Sequence, residues 1–114
     1  MNEDYVSLEV AKLLKDNGFD WFCAKNYIEN DKPDGEVLAF VGFIYYKKPT
    51  LYMAQKWLRE ERNIEVVIDF KSKDSWYYRI YDLDENDFIE QSEEYFNTYE
   101  KALDAGMLEA LKLI

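Results

Sequence analysis

The sequence predicts a single α+β domain spanning residues 1–114, in the order helix, hairpin, helix, hairpin, helix, and three observations predict it. Three segments space their apolar residues at helical period behind a Ser or Thr. Two pairs of aromatic and β-branched runs flank turn-forming clusters. No Gly, Pro or Ser-rich stretch divides the 114 residues, so one core is the default.

The first helix is predicted over Val6 to Phe19. Ser7 caps it, Val6 and Ala11 form a hydrophobic staple, and Val10, Leu13 and Leu14 make the buried stripe. Gly18 ends it, and Phe19 stands where a Schellman ending folds it back onto Leu14. WFCAKNYI at 21–28 and VLAFVGFIYY at 37–46 then form an antiparallel hairpin around NDKPDG. The second run is apolar on both faces, which predicts a central place in the sheet, with Gly42 at a bulge or a close approach.

Pro49 blocks continuation of the strand, Thr50 caps a second helix, and Leu51, Ala54, Trp57 and Leu58 recur at helical spacing up to Asn63, a left-handed terminator. Ile64 to Phe70 alternates, with Ile64, Val66, Ile68 and Phe70 on one face and Glu65, Val67 and Asp69 on the other. The loop Lys71 to Ser75 leads into WYYRIYDL, where Trp76, Tyr78 and Ile80 oppose Tyr77, Arg79 and Tyr81, a second hairpin. After an acidic stretch, Thr98 caps a last helix whose Ala102, Leu103, Gly106, Met107, Ala110, Leu111 and Ile114 form an apolar face running to the terminus. Its small residues at i, i+4 and i+8 predict close packing on a sheet or helix, with a soluble dimer as the other reading. The simplest assembly is a four-stranded, largely antiparallel sheet with the helices on one face.

The stretches YVSLEVAKLLKDNGFD, PTLYMAQKWLREERNIEVVI, YYRIYDL and NTYEKALDAGMLEALKLI resemble a group of short proteins from Bacteroides-type gut bacteria and their phages or mobile elements. The resemblance covers most of the chain. It implies a cytoplasmic setting and a mobile-element origin, and it brings no activity or catalytic motif with it.

Composition narrows the function classes. The net charge is -10, and residues 81–114 hold ten Asp or Glu against Lys101 and Lys112. That balance disfavours direct nucleic-acid binding, whose affinity comes mainly from Lys and Arg releasing counterions. It fits either a solvated surface or a footprint for a basic partner. No run approaches the ~18 apolar residues of a membrane span, and the acidic start MNEDYVSLEV is unlike a secretory signal. The single Cys23 closes no internal disulfide. The expectation is therefore a cytoplasmic protein.

The absence of His removes the commonest acid-base group and metal ligand. Cys23 is expected inside an apolar strand, where cysteines are inert. The glycines at 18, 35, 42 and 106 build no phosphate loop. No enzyme activity, catalytic residue or cofactor is expected. DLDENDFIEQSE places Asp82, Asp84, Asn86 and Glu93 at positions 1, 3, 5 and 12 of an EF-hand loop, with Ile89 at the apolar eighth. Asp87 replaces the required Gly at the sixth, and the flanks lack helical period, so a plain acidic loop is expected and no metal. A helix-turn-helix is excluded because roughly thirty residues separate its two would-be helices.

The candidate interaction surface combines Tyr45, Tyr46, Trp76, Tyr77 and Tyr81 with Asp82, Asp84, Glu85 and Asp87. Its aromatics mark either an interface or ordinary cross-strand packing. The expected function is a non-enzymatic protein-interaction module engaging a basic protein, or itself as a homodimer. Its most specific form is a mimic of nucleic-acid charge. The alternative is a small-ligand-binding domain or minor enzyme with a tyrosine-lined pocket.

Overall fold

In a computed structural model of the protein, which describes residues 4–30 and 43–114, the chain is α+β with three helices and two antiparallel sheets. The elements run α1 (Leu8–Asp16), β1 (Asn26–Asn30), β2 (Phe43–Lys47), α2 (Leu51–Arg62), β3 (Ile64–Ser72), β4 (Ser75–Asp82), β5 (Asp87–Gln91) and α3 (Tyr99–Lys112). Residues 31–35 of the expected turn NDKPDG and residues 37–42 of the expected second strand, Gly42 included, lie outside the described residues.

Local chemistry fixes the helix ends. The Ser7 hydroxyl accepts the Val10 N–H, and Val6 and Ala11 are both buried as the staple requires. At the other end Gly18 takes a left-handed φ of 86°. The Phe19 N–H then reaches the Leu14 carbonyl at 2.9 Å and the Gly18 N–H that of Lys15 at 3.1 Å, a Schellman pair. Thr50 caps α2 by accepting the Met53 N–H at 3.1 Å, and Asn63 ends it at φ 55°. Thr98 caps α3 in the same way through the Lys101 N–H.

One core joins the elements: Val10, Leu14, Leu51, Leu58, Val66, Ile80, Leu103, Met107 and Leu111 are fully buried. Burying a side chain of this kind contributes about 1.5–3 kcal/mol, so this apolar cluster dominates the fold's stability. The helix row Ala102, Gly106 and Ala110 is buried, and α3 lies on β3 and β4. A Cβ at Gly106 would stand 2.7 Å from Val66 Cγ1 and 2.9 Å from Tyr78 Cβ. Glycine is what lets the helix sit this close. Asp104, two residues before Gly106, accepts the Ser7 N–H at 2.8 Å and so ties α3 to the start of α1.

The expected single four-stranded sheet is replaced by a two-stranded sheet, β1-β2, and a three-stranded one, β3-β4-β5. The reason is that both edges of the β3-β4 pair are occupied. Gln55 on α2 donates to the Val66 carbonyl of β3 at 2.7 Å, and β5 takes the far edge of β4. Beyond β5 the chain returns to β4, where Trp76 and Phe96 exchange two backbone bonds of 2.7 Å. The second hairpin is therefore a meander with a third strand where an acidic loop is expected. β3 also runs to Ser72, leaving Lys73 and Asp74 as the turn.

The first strand of the first hairpin begins later than expected, at Asn26. Residues 21–25 are irregular, because tertiary contacts override their strand propensity: Trp21 packs on Phe19, and the Lys47 ammonium binds the Asp20 and Trp21 carbonyls. β2 pairs only with β1 among the described residues, so it is not central. Cys23 accordingly lies outside any strand, half-buried, with its thiol 3.9 Å from Met53 Sδ. The apolar face of α3 stops short of the terminus, since the helix ends at Lys112 and Ile114 is exposed.

Candidate functional site

Strand alternation sorts the three-stranded sheet into two faces. Ile64, Val66, Tyr78 and Ile80 turn inward to the helices, while Val67, Tyr77, Arg79 and Tyr81 form the outer face. Outside, Tyr81 meets Phe88 of β5 edge-on at 5.8 Å, and Tyr77 meets Tyr95 at 5.7 Å. The Arg79 guanidinium donates to the Tyr77 hydroxyl at 2.8 Å and lies 3.6 Å from the Asp69 carboxylate. The outer aromatics are thus held by their own neighbours in a half-exposed layer.

The remaining candidate aromatics lie elsewhere. Tyr45 and Tyr46 belong to β2, where Tyr45 is exposed and the Lys15 ammonium sits 5.0 Å above the Tyr46 ring. Trp76 begins β4 and packs between Phe70 and Tyr99, with its indole N–H donated to the Lys73 carbonyl. The structure brings together Tyr77 and Tyr81 but separates them from Tyr45, Tyr46 and Trp76.

Asp84 and Glu85 lie in the β4–β5 turn, between Asp82 at the end of β4 and Asp87 at the start of β5. The Asp82 carboxylate accepts the N–H groups of Asp84 at 2.9 Å and Glu85 at 3.4 Å, and Asn86 takes a left-handed φ of 53°. These acids shape a hairpin turn between strands. The calcium-loop pattern is broken up accordingly, with Asp82 closing β4 and Glu93 lying beyond β5. Among the described residues no group of three or more Cys, Asp or Glu is placed to hold a metal ion.

A different acidic cluster lies beneath the sheet edge. α3 covers β3 and β4, and a groove of about 490 Å³ opens between its exposed flank and the 90–96 segment. Glu90, Glu93, Glu94 and Glu109 line it, over a floor of Tyr78, Phe96, Ala105 and Leu108. The Tyr78 side chain is only 7% exposed, with its ring against Phe96 and Gly106. No described residue hydrogen-bonds its hydroxyl. Burial first, and then the fields of Glu109, Glu90, Glu94 and Glu93, push that phenol up to about 12. The phenol thus stays protonated in a field that favours cations. A second depression of about 530 Å³ adjoins the groove at Phe96, Ala105 and Leu108 and runs to Tyr27 and Tyr5.

Sequence reasoning missed Glu90, Glu93, Glu94, Glu109 and Tyr78 as a unit. Its available signal was Phe88 and Ile89 after the turn residues, which mark a short strand and so carry the following acids to the sheet edge. Glu109 comes from another element, and only tertiary structure unites it with the rest. At Cys23, burial pushes the thiol up, with the Lys47 ammonium opposing, which keeps sulfur in its less reactive form.

Among the described residues no helix is long and apolar enough to cross a membrane. No protein-family model, curated protein or solved structure matches the chain.

Proposed function

We propose that the protein is a non-enzymatic interaction module that engages a basic partner protein through the acidic groove between β5 and α3. The observation that carries this reading is the convergence of Glu90, Glu93, Glu94 and Glu109 around Tyr78, whose hydroxyl makes no hydrogen bond among the described residues. Four carboxylates in a partly enclosed, apolar-floored groove reinforce one another, because low-dielectric walls focus the field more than an open surface does. A cationic side chain entering there is attracted by charge and covers apolar area with its stem. An anionic ligand is repelled. On this reading, with the origin that the sequence resemblance implies, the protein is a cytoplasmic one of phage or mobile-element descent that occupies a basic protein of its host.

The charge-mimic version of this reading requires carboxylates spaced along one face like phosphates. The groove favours a narrower version, in which acids surround one recess and select a basic segment. The test is titration with fluorescein-labelled peptides of matched length rich in lysine, glutamate or serine, followed by anisotropy at increasing salt. The lysine peptide binds alone and weakens as salt rises. Binding of all three alike, or of none, overturns the proposal.

A further inference from the structure

We infer that the partner segment is an extended basic peptide that adds as a fourth strand to the open edge of β5 and lays a lysine or arginine side chain across Phe96 to the Tyr78 hydroxyl. The inference rests on the reading of the groove as a receptor for basic partners and specifies how the partner is held.

Three features carry it. The first is the sheet edge. β5 is the outermost strand of β3-β4-β5 among the described residues. Because the Ser92 N–H donates to the Tyr78 carbonyl at 3.0 Å, antiparallel alternation turns the N–H and C=O of the neighbouring Gln91 away from β4. An unpaired strand edge of this kind is a template for another strand. On the opposite edge Gln55 of α2 already takes the Val66 carbonyl.

The second is Tyr78. The residue is 93% buried and lines the groove, and its hydroxyl makes no hydrogen bond to any described residue, so its oxygen is open to a donor entering from the groove. A cationic side chain supplies the donor, and its apolar stem fits the Phe96 and Leu108 floor. A strand on β5 points every second side chain toward this inner face, which is where the groove lies.

The third is charge. Asp87 and Glu90 stand on β5 itself, and Glu93 and Glu94 follow it. A second copy pairing there would bring its own Asp87 and Glu90 against these, and like charges facing across strands are destabilising. A basic strand meets the same edge with opposite charges. The edge is thus blocked to itself and open to a basic partner.

The test uses a labelled ten-residue peptide with lysine at every second position, and two derivatives N-methylated on alternate residues in the two possible registers. Anisotropy gives affinity, and hydrogen exchange of the full chain follows the Gln91 amide. The expected result is that one methylated register loses ten-fold or more in affinity while the other keeps the parent's. The Gln91 amide gains protection on binding, and Tyr78→Phe weakens binding three-fold or more. If the parent peptide binds but the two registers behave alike, or Gln91 exchange is unchanged, strand addition is overturned while the acidic-receptor reading stands. If the parent fails to bind at any salt concentration, both are overturned. Tyr78→Phe removes only a hydroxyl that bonds no described residue, and circular dichroism checks that the variant keeps its fold.

Discussion

Replacing Gly106 with alanine tests whether the contact between α3 and the sheet sets the fold. In an isolated helix the change is favourable by about 1 kcal/mol, since alanine is the better helix former. In this helix the new methyl would stand 2.7 Å from Val66 Cγ1, 2.9 Å from Tyr78 Cβ and 3.0 Å from Tyr78 Cγ. Val66 is fully buried and has little room to turn, and Tyr78 Cβ moves only with the backbone of β4. Overpacking of this kind costs about 1–3 kcal/mol, and the immobile neighbours put it near the upper figure. The net effect is a loss of about 2 kcal/mol, or about 6–8 °C in Tm for a chain of this size. Thermal and urea unfolding followed by circular dichroism measure it. A double-mutant cycle adds a sharper check, because Val66→Ala clears one of the two contacts and should reduce the cost of Gly106→Ala by about 1 kcal/mol. A Gly106→Ala protein as stable as its parent, or more stable, would refute the close approach.

Other outcomes follow from single contacts and one titration. Tyr78 has its folded pKa pushed up to about 12 against an ordinary value of 10, so burial of the neutral phenol favours the fold fully below pH 10. As pH rises from 10 toward 12 the unfolded chain loses this proton first, and about 2–3 kcal/mol of stability disappears. Tyr78→Phe lacks that particular loss, and parallel urea curves at pH 7, 10 and 11.5 reveal the difference; parallel declines in both proteins would contradict it. Thr50→Ala removes the acceptor for the Met53 N–H and costs about 1 kcal/mol, whereas Thr50→Ser stays within a few tenths. Asp104→Ala strands the Ser7 N–H, with a loss of about 1–2 kcal/mol by urea unfolding. Millimolar calcium leaves Tm unchanged, because Asp82 is engaged by the turn and Glu93 lies beyond β5; a rise of several degrees would show that the turn rearranges around the ion.

Features encoded by neighbouring residues were legible in the sequence. Ser7, Thr50 and Thr98 cap helices whose stripes are read from spacing, and Gly18 with Phe19 forms a motif complete within six residues. Ile64 to Val67 alternates because one of its faces is dry and the other wet, whereas Phe70, expected on the dry face, is exposed and packs on Trp76. What was illegible depends on distant partners. WFCAK has strand composition, yet Lys47 and Phe19 hold its backbone in an irregular path. β5 was hidden by its acids, which are depleted in strands but tolerated at an edge that discourages self-pairing. The groove depends on the second of these, since it lies where β5 extends the sheet beyond α3. Of the residues expected at an interaction surface, Tyr77 and Tyr81 share a sheet face, while Asp82, Asp84, Glu85 and Asp87 share a turn. The local concentration of acid after residue 81 marked the third of the chain that holds the groove's carboxylates without indicating which of them converge.

The central claim is that position, and not net charge, makes the acidic end a receptor. Two variants with the same charge change separate these. One carries Glu90→Gln, Glu93→Gln, Glu94→Gln and Glu109→Gln in the groove, and the other Asp82→Asn, Asp84→Asn, Glu85→Gln and Asp87→Asn at the turn. Anisotropy of the labelled lysine peptide against each at one ionic strength is the direct measurement. The groove variant should lose ten-fold or more in affinity and the turn variant three-fold or less. Equal losses in the two would contradict the claim.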